Sequence, residues 1–237
     1  MIIECVWEHN GDDSMLYASN VVGAFTRGSS KKEALRKMPQ EINSFFRWCD
    51  KDLPSAIEVL VTEEKASKLN IADADSDVIF ASERELFTQK EYQYLKALTL
   101  QSAKAFYCLY SAFPDKDKSN LPFRKTFYGE VPRTAQEMYQ HTKNVNAYYF
   151  AEIGVETDNE GSIEDCRARG FQLLEEQVAF PTKSVVVGSY GEEWSLRKLL
   201  RRFIWHDRIH AKAMYRMGIS AFCENLIPDI FSFNNSI

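Results

Sequence analysis

Short runs of apolar and β-branched residues bounded by turn residues occur in the first third of the chain, a pattern that is typical of strands. These runs predict four strands, at 2–8, 15–19, 24–28 and 57–63. Between the third and fourth strands, apolar residues recur with a helical period from Lys31 to Trp48. Ser29 or Ser30 can cap this helix, and Pro39 is expected to bend or split it.

After a polar passage over 64–87, in which residues 77–81 are a last strand or an extended linker, the period becomes helical. Two capping boxes open helices, Thr88 with Glu91 and Thr134 with Glu137. The predicted helices run from Thr88 to Phe113, Thr134 to Gly154, Ser162 to Pro181 and Trp194 to Met217. The sequence therefore predicts an α+β protein, with a small αβ module at 1–82 and a four-helix bundle at 83–237.

The last helix carries the most informative stripe of the chain. Its apolar positions are continued by His206 and His210, which lie one turn apart on the same face. The positions predicted to face outward carry seven basic residues: Arg197, Lys198, Arg201, Arg202, Arg208, Lys212 and Arg216. Two imidazoles one turn apart on a core-facing stripe have the spacing of metal ligands.

A third histidine lies on the inward stripe predicted for the second bundle helix, which comprises Met138, His141, Val145, Tyr148 and Glu152. Three neutral imidazoles can hold one zinc or nickel ion and leave coordination positions open for water or substrate. The chain has only one other histidine, His9, which lies in the front module and is not expected to take part. The alternative is three core histidines that are satisfied separately.

The two histidine-bearing segments resemble the DinB/YfiT-like family of metal-binding four-helix bundles, which has one histidine on its second helix and an H-x3-H pair on its last. The matching segments are RTAQEMYQHTKNVNAYYFAEIG, with His141, and EEWSLRKLLRRFIWHDRIHAKAMYRM, with His206 and His210. The likeness covers residues 88–220. It implies a nickel or zinc ion at these histidines, and a reaction of the kinds found in the family, which include thiol-dependent S-transferases and hydrolase-like proteins.

The front module resembles a second, smaller family. The segment GAFTRGSSKKEALRKMPQEINSFFRW, at 23–48, is similar to the HicB-like fold, in which a glycine-containing strand leads into a helix opened by an "EAL" segment. No helix-turn-helix pattern follows it, so the DNA-reading part found in many such antitoxins is absent from the pattern. The front module also departs from the minimal DinB-like plan.

Three acidic or phenolic residues near the histidines have more than one interpretation. Asp207 occupies the position of the general base in an H-E-x-x-H motif, but it lies about 100° off the ligand stripe, so an ion pair with a neighbouring arginine is favoured. Tyr148 and Glu152 can line the pocket, orient an imidazole or simply pack. No catalytic side chain is identified.

Charge and composition limit the binding partners and the cellular location that are expected for this protein. The net charge is −5 and the pI about 5.5, which argues against nucleic acid as a partner in spite of the basic helix face. The five cysteines are scattered, without a CxxC pair, which favours reduced thiols and a cytoplasmic location. The N-terminus lacks the basic region of a signal peptide, and no apolar run approaches the length of a membrane span.

Two classes of function remain open at this stage. The first is a metal-dependent transferase or hydrolase that activates water or a low-molecular-weight thiol as the nucleophile and acts on a small molecule. The second is a non-catalytic binding or regulatory protein, in which the metal stabilises the bundle and the HicB-like module contacts a partner. The sequence does not decide between them, nor between a monomer and a homodimer.

Overall fold

The computed structural model describes residues 1–126, 129–177, 185–222 and 226–235. The chain has the predicted α+β composition and divides into two compact units. The first comprises Met1–Glu85 together with the residues from Phe231 onward, and the second comprises Leu86–Ile230. The hydroxyl of Ser44 donates a hydrogen bond to the carbonyl of Phe231 at 3.3 Å, so the C-terminal residues pack with the first unit.

The first unit is built on a mixed four-stranded sheet in the order β3-β2-β1-β4. The strands are β1 Ile2–Asn10, β2 Asp13–Ala18, β3 Phe25–Gly28 and β4 Glu58–Ala66. The first three form an antiparallel meander, whereas β4 runs parallel to β1. Because parallel neighbours need a crossover, the chain passes through helix α1, Lys31–Trp48, between β3 and β4.

The hydroxyl of Ser30 caps α1 by accepting a hydrogen bond from the backbone N–H of Glu33 at 3.3 Å. Pro39 was expected to bend or split this helix; the helix runs from Lys31 to Trp48 without a break, so Pro39 does not split it. Of the two alternatives for residues 77–81, a last strand or an extended linker, the strand is not formed. Residues 77–80 have no regular secondary structure, and a 3-10 turn follows at Ala81–Arg84.

The second unit has four α-helices among its described residues: α2 Gln89–Ser111, α3 Ala135–Ala151, α4 Ile163–Glu175 and α5 Leu196–Ala221. The capping boxes predicted at Thr88 and Thr134 are confirmed. Helix α2 contacts α3, α4 and α5, and α3 contacts α4 and α5. Helix α4 ends at Glu175 with Glu176 as its C-cap, so it is shorter than the predicted helix, which was expected to run to Pro181.

Two short antiparallel strand pairs also lie among the described residues of the second unit. Strands β5, Lys125–Thr126, and β6, Gly129–Glu130, form the first. Strands β7, Val186–Val187, and β8, Glu193–Trp194, form the second and lead directly into α5. Trp194 was predicted to begin the last helix, but it belongs to β8. The side chain of Ser195 caps the helix instead, by accepting a hydrogen bond from the N–H of Lys198 at 3.1 Å.

The basic face predicted for α5 is wrong, because most of its cations are buried. Lys198, Arg201, Arg202 and Arg208 expose at most 9% of their surface, whereas Arg216 is exposed. Among these cations, Lys198 pairs with Glu192 at 2.8 Å, and the guanidinium of Arg202 lies against the rings of Tyr149, Trp194 and Trp205. No helix in the described ranges combines the length and apolar character that crossing a membrane requires.

Candidate metal centre

The three predicted ligands lie together between α3 and α5. The ring centroid of His141 lies 5.2 Å from that of His206 and 4.6 Å from that of His210. The centroids of His206 and His210, one helical turn apart, are separated by 4.5 Å. One ring nitrogen from each of the three lies within 4.8 Å of the other two. His9 lies in β1 of the first unit, where its ring stacks on Trp7 at 4.0 Å.

The three imidazoles differ in burial, which corrects the sequence prediction. His206 is buried with 7% of its surface exposed, His210 is partly exposed, and His141 is exposed. The stripe of α3 that faces the core runs through Met138, Thr142, Asn146 and Tyr149 rather than through His141. One residue corresponds to a rotation of about 100° around a helix, so His141 lies at the edge of the buried stripe. The group is therefore open to solvent on the side of His141.

All three rings are held in the neutral form that binds a metal. Burial lowers the pKa of His206 well below its usual value, and the two neighbouring histidines and the charges of Arg202 and Arg167 lower it further. Burial, followed by the effect of His141, lowers the pKa of His210 to about 3. The pKa of His141 is also lowered, because burial removes its ring partly from water. The residue as a whole is nevertheless exposed. Each ring therefore keeps a lone pair at neutral pH.

The innermost imidazole contains a polar atom without a partner. Nδ1 of His206 is buried and has no hydrogen-bond partner among the described residues. Leaving such an atom unsatisfied costs about 1–3 kcal/mol. Three neutral nitrogen donors form a set suited to zinc or nickel. Two nitrogens bound to one zinc ion lie at most about 4.2 Å apart, so small rotations of the side chains would bring the three into range of one ion. The residues fit a divalent ion.

Aromatic and basic side chains flank the buried end of this group. The ring of Tyr149 lies edge-on to His206 with centroids 5.9 Å apart. Arg202, one turn before His206 on α5, places its guanidinium carbon 5.5 Å from the ring centroid of Tyr149, 5.6 Å from that of Trp194 and 5.1 Å from that of Trp205. A positive charge surrounded by aromatic faces is stabilised where water is excluded.

Tyr148 and Glu152 contact β8 and the turn that precedes it, rather than the histidines. Glu152 is buried, and its carboxylate accepts a hydrogen bond from the backbone N–H of Ser189 at 2.7 Å. Tyr148 is exposed and packs edge-on against Trp194, with ring centroids 6.3 Å apart. The carboxylate of Glu152 thus holds the turn between β7 and β8 in place.

Asp207 forms the ion pair that its sequence position suggested, but with a partner and in a place that the sequence did not indicate. Its two carboxylate oxygens accept hydrogen bonds from Arg167 on α4, at 2.6 and 3.1 Å, and both side chains are fully buried. Although Asp207 lies off the ligand stripe of α5, it is buried in the core. Arg167 was not among the residues predicted to form the site. It directly follows Cys166 in the sequence, and both residues are buried.

Comparison of the chain with models of protein families, with curated proteins and with solved structures finds no match. The likeness to the DinB/YfiT-like and HicB-like families therefore rests on the sequence segments that carry it.

Proposed function

We propose that the protein binds one divalent metal ion, zinc or nickel, through His141, His206 and His210. The observation that carries this proposal is the unsatisfied, buried Nδ1 of His206 within a group of three neutral imidazoles. No described residue forms an ion pair with any of these three rings, and their packing together is costly unless a cation accepts their lone pairs. A divalent ion would remove this cost and link α3 to α5.

We further propose that α2 to α5 form a four-helix bundle of the DinB-like kind. The contacts of α2 with α4 and α5, and of α3 with the same two helices, support this arrangement. The proposed ligands come from the second and the last of these four helices, as in the family that the sequence resembles. The mixed sheet and α1 correspond to the HicB-like module.

The activity that we propose is that of a metal-dependent transferase or hydrolase acting on a small molecule. An ion held by three neutral ligands retains its double charge and makes water or a low-molecular-weight thiol a better nucleophile near neutral pH. The substrate would reach the group from the exposed side of His141, since His206 is closed off by Tyr149 and Trp205. These packed rings exclude water from the buried side of His206 and fix the orientation of its imidazole.

One observation favours a second candidate, a non-catalytic protein in which the metal stabilises the bundle and the first unit contacts a partner. Both carboxylates that the sequence places near the ligands are already engaged. Asp207 is paired with Arg167, and Glu152 accepts a hydrogen bond from Ser189. Neither is therefore positioned as a general base, so in an enzyme of this design the metal itself must activate the nucleophile.

Metal analysis of protein purified without an affinity tag tests the site. We expect one zinc or nickel ion per chain, and we expect His206→Ala to abolish stoichiometric binding, because two imidazoles lose both affinity and geometry. His9→Ala is the matched control and should retain the ion. Full metal content in His206→Ala would exclude this ligand set.

A screen of the metal-loaded protein separates the two candidate functions. One arm combines electrophiles with low-molecular-weight thiols, and the other contains ester and amide substrates. Alanine variants of His141, His206 and His210 serve as controls. Turnover that depends on all three histidines supports the enzyme. A loaded protein that turns over neither class, or turnover that persists in all three variants, favours the partner-binding candidate.

A further inference from the structure

A single buried arginine connects all four helices of the second unit. Arg167 on α4 donates two hydrogen bonds to Asp207 on α5, at 2.6 and 3.1 Å. Its Nε donates to Oδ1 of Asn146 on α3 at 2.8 Å, and Nη1 also donates to the carbonyl of Thr99 on α2 at 3.3 Å. Its guanidinium carbon lies 4.2 Å from the ring centroid of Phe203. All of these side chains are fully buried.

This arginine network lies beside the proposed metal centre. Asp207 directly follows His206 in α5, and Asn146 lies five residues after His141 in α3. The ring of Phe203, against which the guanidinium packs, lies 5.3 Å from the ring of Tyr149, and the ring of Tyr149 in turn lies 5.9 Å from that of His206. The network therefore joins the two helices that carry the ligands, close to the level of the ligands themselves.

The energetics of such a network indicate a role in geometry rather than in net stability. Removing two charges from water costs about as much as their attraction returns, so a buried ion pair often contributes little to the free energy of unfolding. Its hydrogen bonds are directional, however, and the planar guanidinium can serve three partners only in one arrangement. Apolar contacts alone tolerate small sliding and rotation of helices, whereas ligands must be held to within about 0.5 Å.

We infer that Arg167 and Asp207 are positioning residues that set the register of α3 against α5 which the three-histidine site requires. The inference rests on the proposed metal binding. It assigns no contact with metal or substrate to either residue. It also explains why a fully buried charge pair is present where apolar residues could fill the same space.

The test must separate lost geometry from an unpaired charge. Replacing Arg167 or Asp207 alone would leave one buried charge without its partner and would strongly destabilise the protein. The double variant Arg167→Met/Asp207→Leu removes both charges and replaces them with apolar side chains, a change that is often neutral for stability. It should therefore fold, with its helices free to shift.

Cobalt(II) is the probe, because its visible absorption reports coordination geometry as well as occupancy. We expect the wild type to bind one cobalt ion. The double variant should retain its helical circular dichroism and a cooperative thermal transition, yet bind cobalt about 10–100-fold more weakly, the range seen when groups behind metal ligands are removed. Its absorption spectrum should also change. Arg169→Met is the matched control, since Arg169 lies on the same helix but pairs with Asp158 at the surface.

A folded double variant with wild-type cobalt affinity and spectrum would overturn the inference. If the double variant does not fold, Arg167→Lys provides the decision, because lysine keeps the charge but cannot serve all three helices at once. Weaker cobalt binding with an altered spectrum would support positioning, and wild-type binding would overturn it. A wild type that binds no cobalt would instead reject the metal site itself.

Discussion

Nζ of Lys198 lies 2.8 Å from Oε1 of Glu192, and the lysine side chain has no exposed surface. The ammonium group also donates a hydrogen bond to the carbonyl of Glu193 at 2.6 Å. Burial nevertheless lowers the pKa of Lys198 to about 8, because the loss of water outweighs the attraction of Glu192. The lysine two turns before His206 therefore changes its charge within an accessible range of pH.

The first prediction follows from this lysine. An unfolded chain holds the proton up to about pH 10.5, whereas the folded protein releases it near pH 8. The contribution of Lys198 to the free energy of unfolding should therefore rise between these values, by about 3 kcal/mol in total. Urea denaturation from pH 7 to 10.5 should show the wild type gaining this amount relative to Lys198→Met.

Lys96→Met is the control for the first prediction, because Lys96 pairs with Glu175 at a partly exposed position. Because this pair keeps part of its contact with water, its loss should change the free energy of unfolding at pH 7 by no more than about 1 kcal/mol. A difference between the wild type and Lys198→Met that does not depend on pH would contradict the prediction.

The second prediction concerns acid and the metal-free protein. The pKa of His210 is lowered to about 3 from 6.5, so between these values the unfolded chain binds a proton that the folded protein excludes. The free energy of unfolding should therefore fall as pH drops from 6.5 towards 3, by about 1.4 kcal/mol per pH unit for this group. His210→Gln should lose less stability between pH 7 and pH 5 than the wild type does.

Urea denaturation after removal of metal with a chelator measures this effect. Adding zinc should protect the wild type but not His210→Gln, because proton and metal compete for the same lone pair. An equal loss of stability in both proteins on acidification would show that folding does not lower the pKa of His210.

The third prediction concerns the packing of α3 against α4. A Cβ atom added to Gly170 would lie within 2.6 Å of three atoms of the Phe150 ring, which is fully buried. Alanine normally stabilises a helix interior relative to glycine by about 1 kcal/mol. At this position the clash should dominate, and Gly170→Ala should destabilise the protein by about 1–3 kcal/mol. The double variant Phe150→Leu/Gly170→Ala should recover part of the loss in thermal or urea denaturation. A stabilised single variant would contradict this packing.

The fourth prediction concerns the division of the chain. The fragment from Leu86 to Ile230 should fold alone, because its helices carry their own caps and its core is internal to the unit. Circular dichroism and size-exclusion chromatography should show a helical monomer or dimer. A longer fragment that ends at Ile237 should aggregate more readily, since Phe231 packs against Trp48 of the first unit at 5.3 Å. A short fragment that is unfolded while the full chain is helical would contradict the division.

Local chemistry determined which segments became helices and where they began. Thr88 and Glu91, like Thr134 and Glu137, satisfy each other's backbone groups within four residues, so their capping boxes form as the sequence indicates. Helix α1 begins and ends as predicted, at Lys31 and Trp48. The three histidines could be chosen as a group for a similar reason, since spacing along a helix determines which side chains share a face.

The tertiary structure decided which face of each helix is buried. The stripe of α3 could be drawn through His141 or through Thr142, one residue apart, and only the packing of neighbouring helices selected the second. Lys198 and Arg202 look like solvent-exposed cations on an amphipathic helix. They are buried because other segments of the same chain pack on that side of α5. These segments supply Glu192 as a partner for Lys198 and aromatic rings as partners for Arg202.

The sequence by itself determined the α+β composition, the capping boxes of α2 and α3 and the three histidines as candidate ligands, because helix periodicity and capping depend on interactions within a few residues. Only the tertiary structure decided that Arg167 and Asp207, 40 residues apart, pair in the core, and that the C-terminal residues return to the first unit. Contacts between distant segments depend on how whole faces fit together. A buried charge is tolerated only where that fit supplies its counterpart.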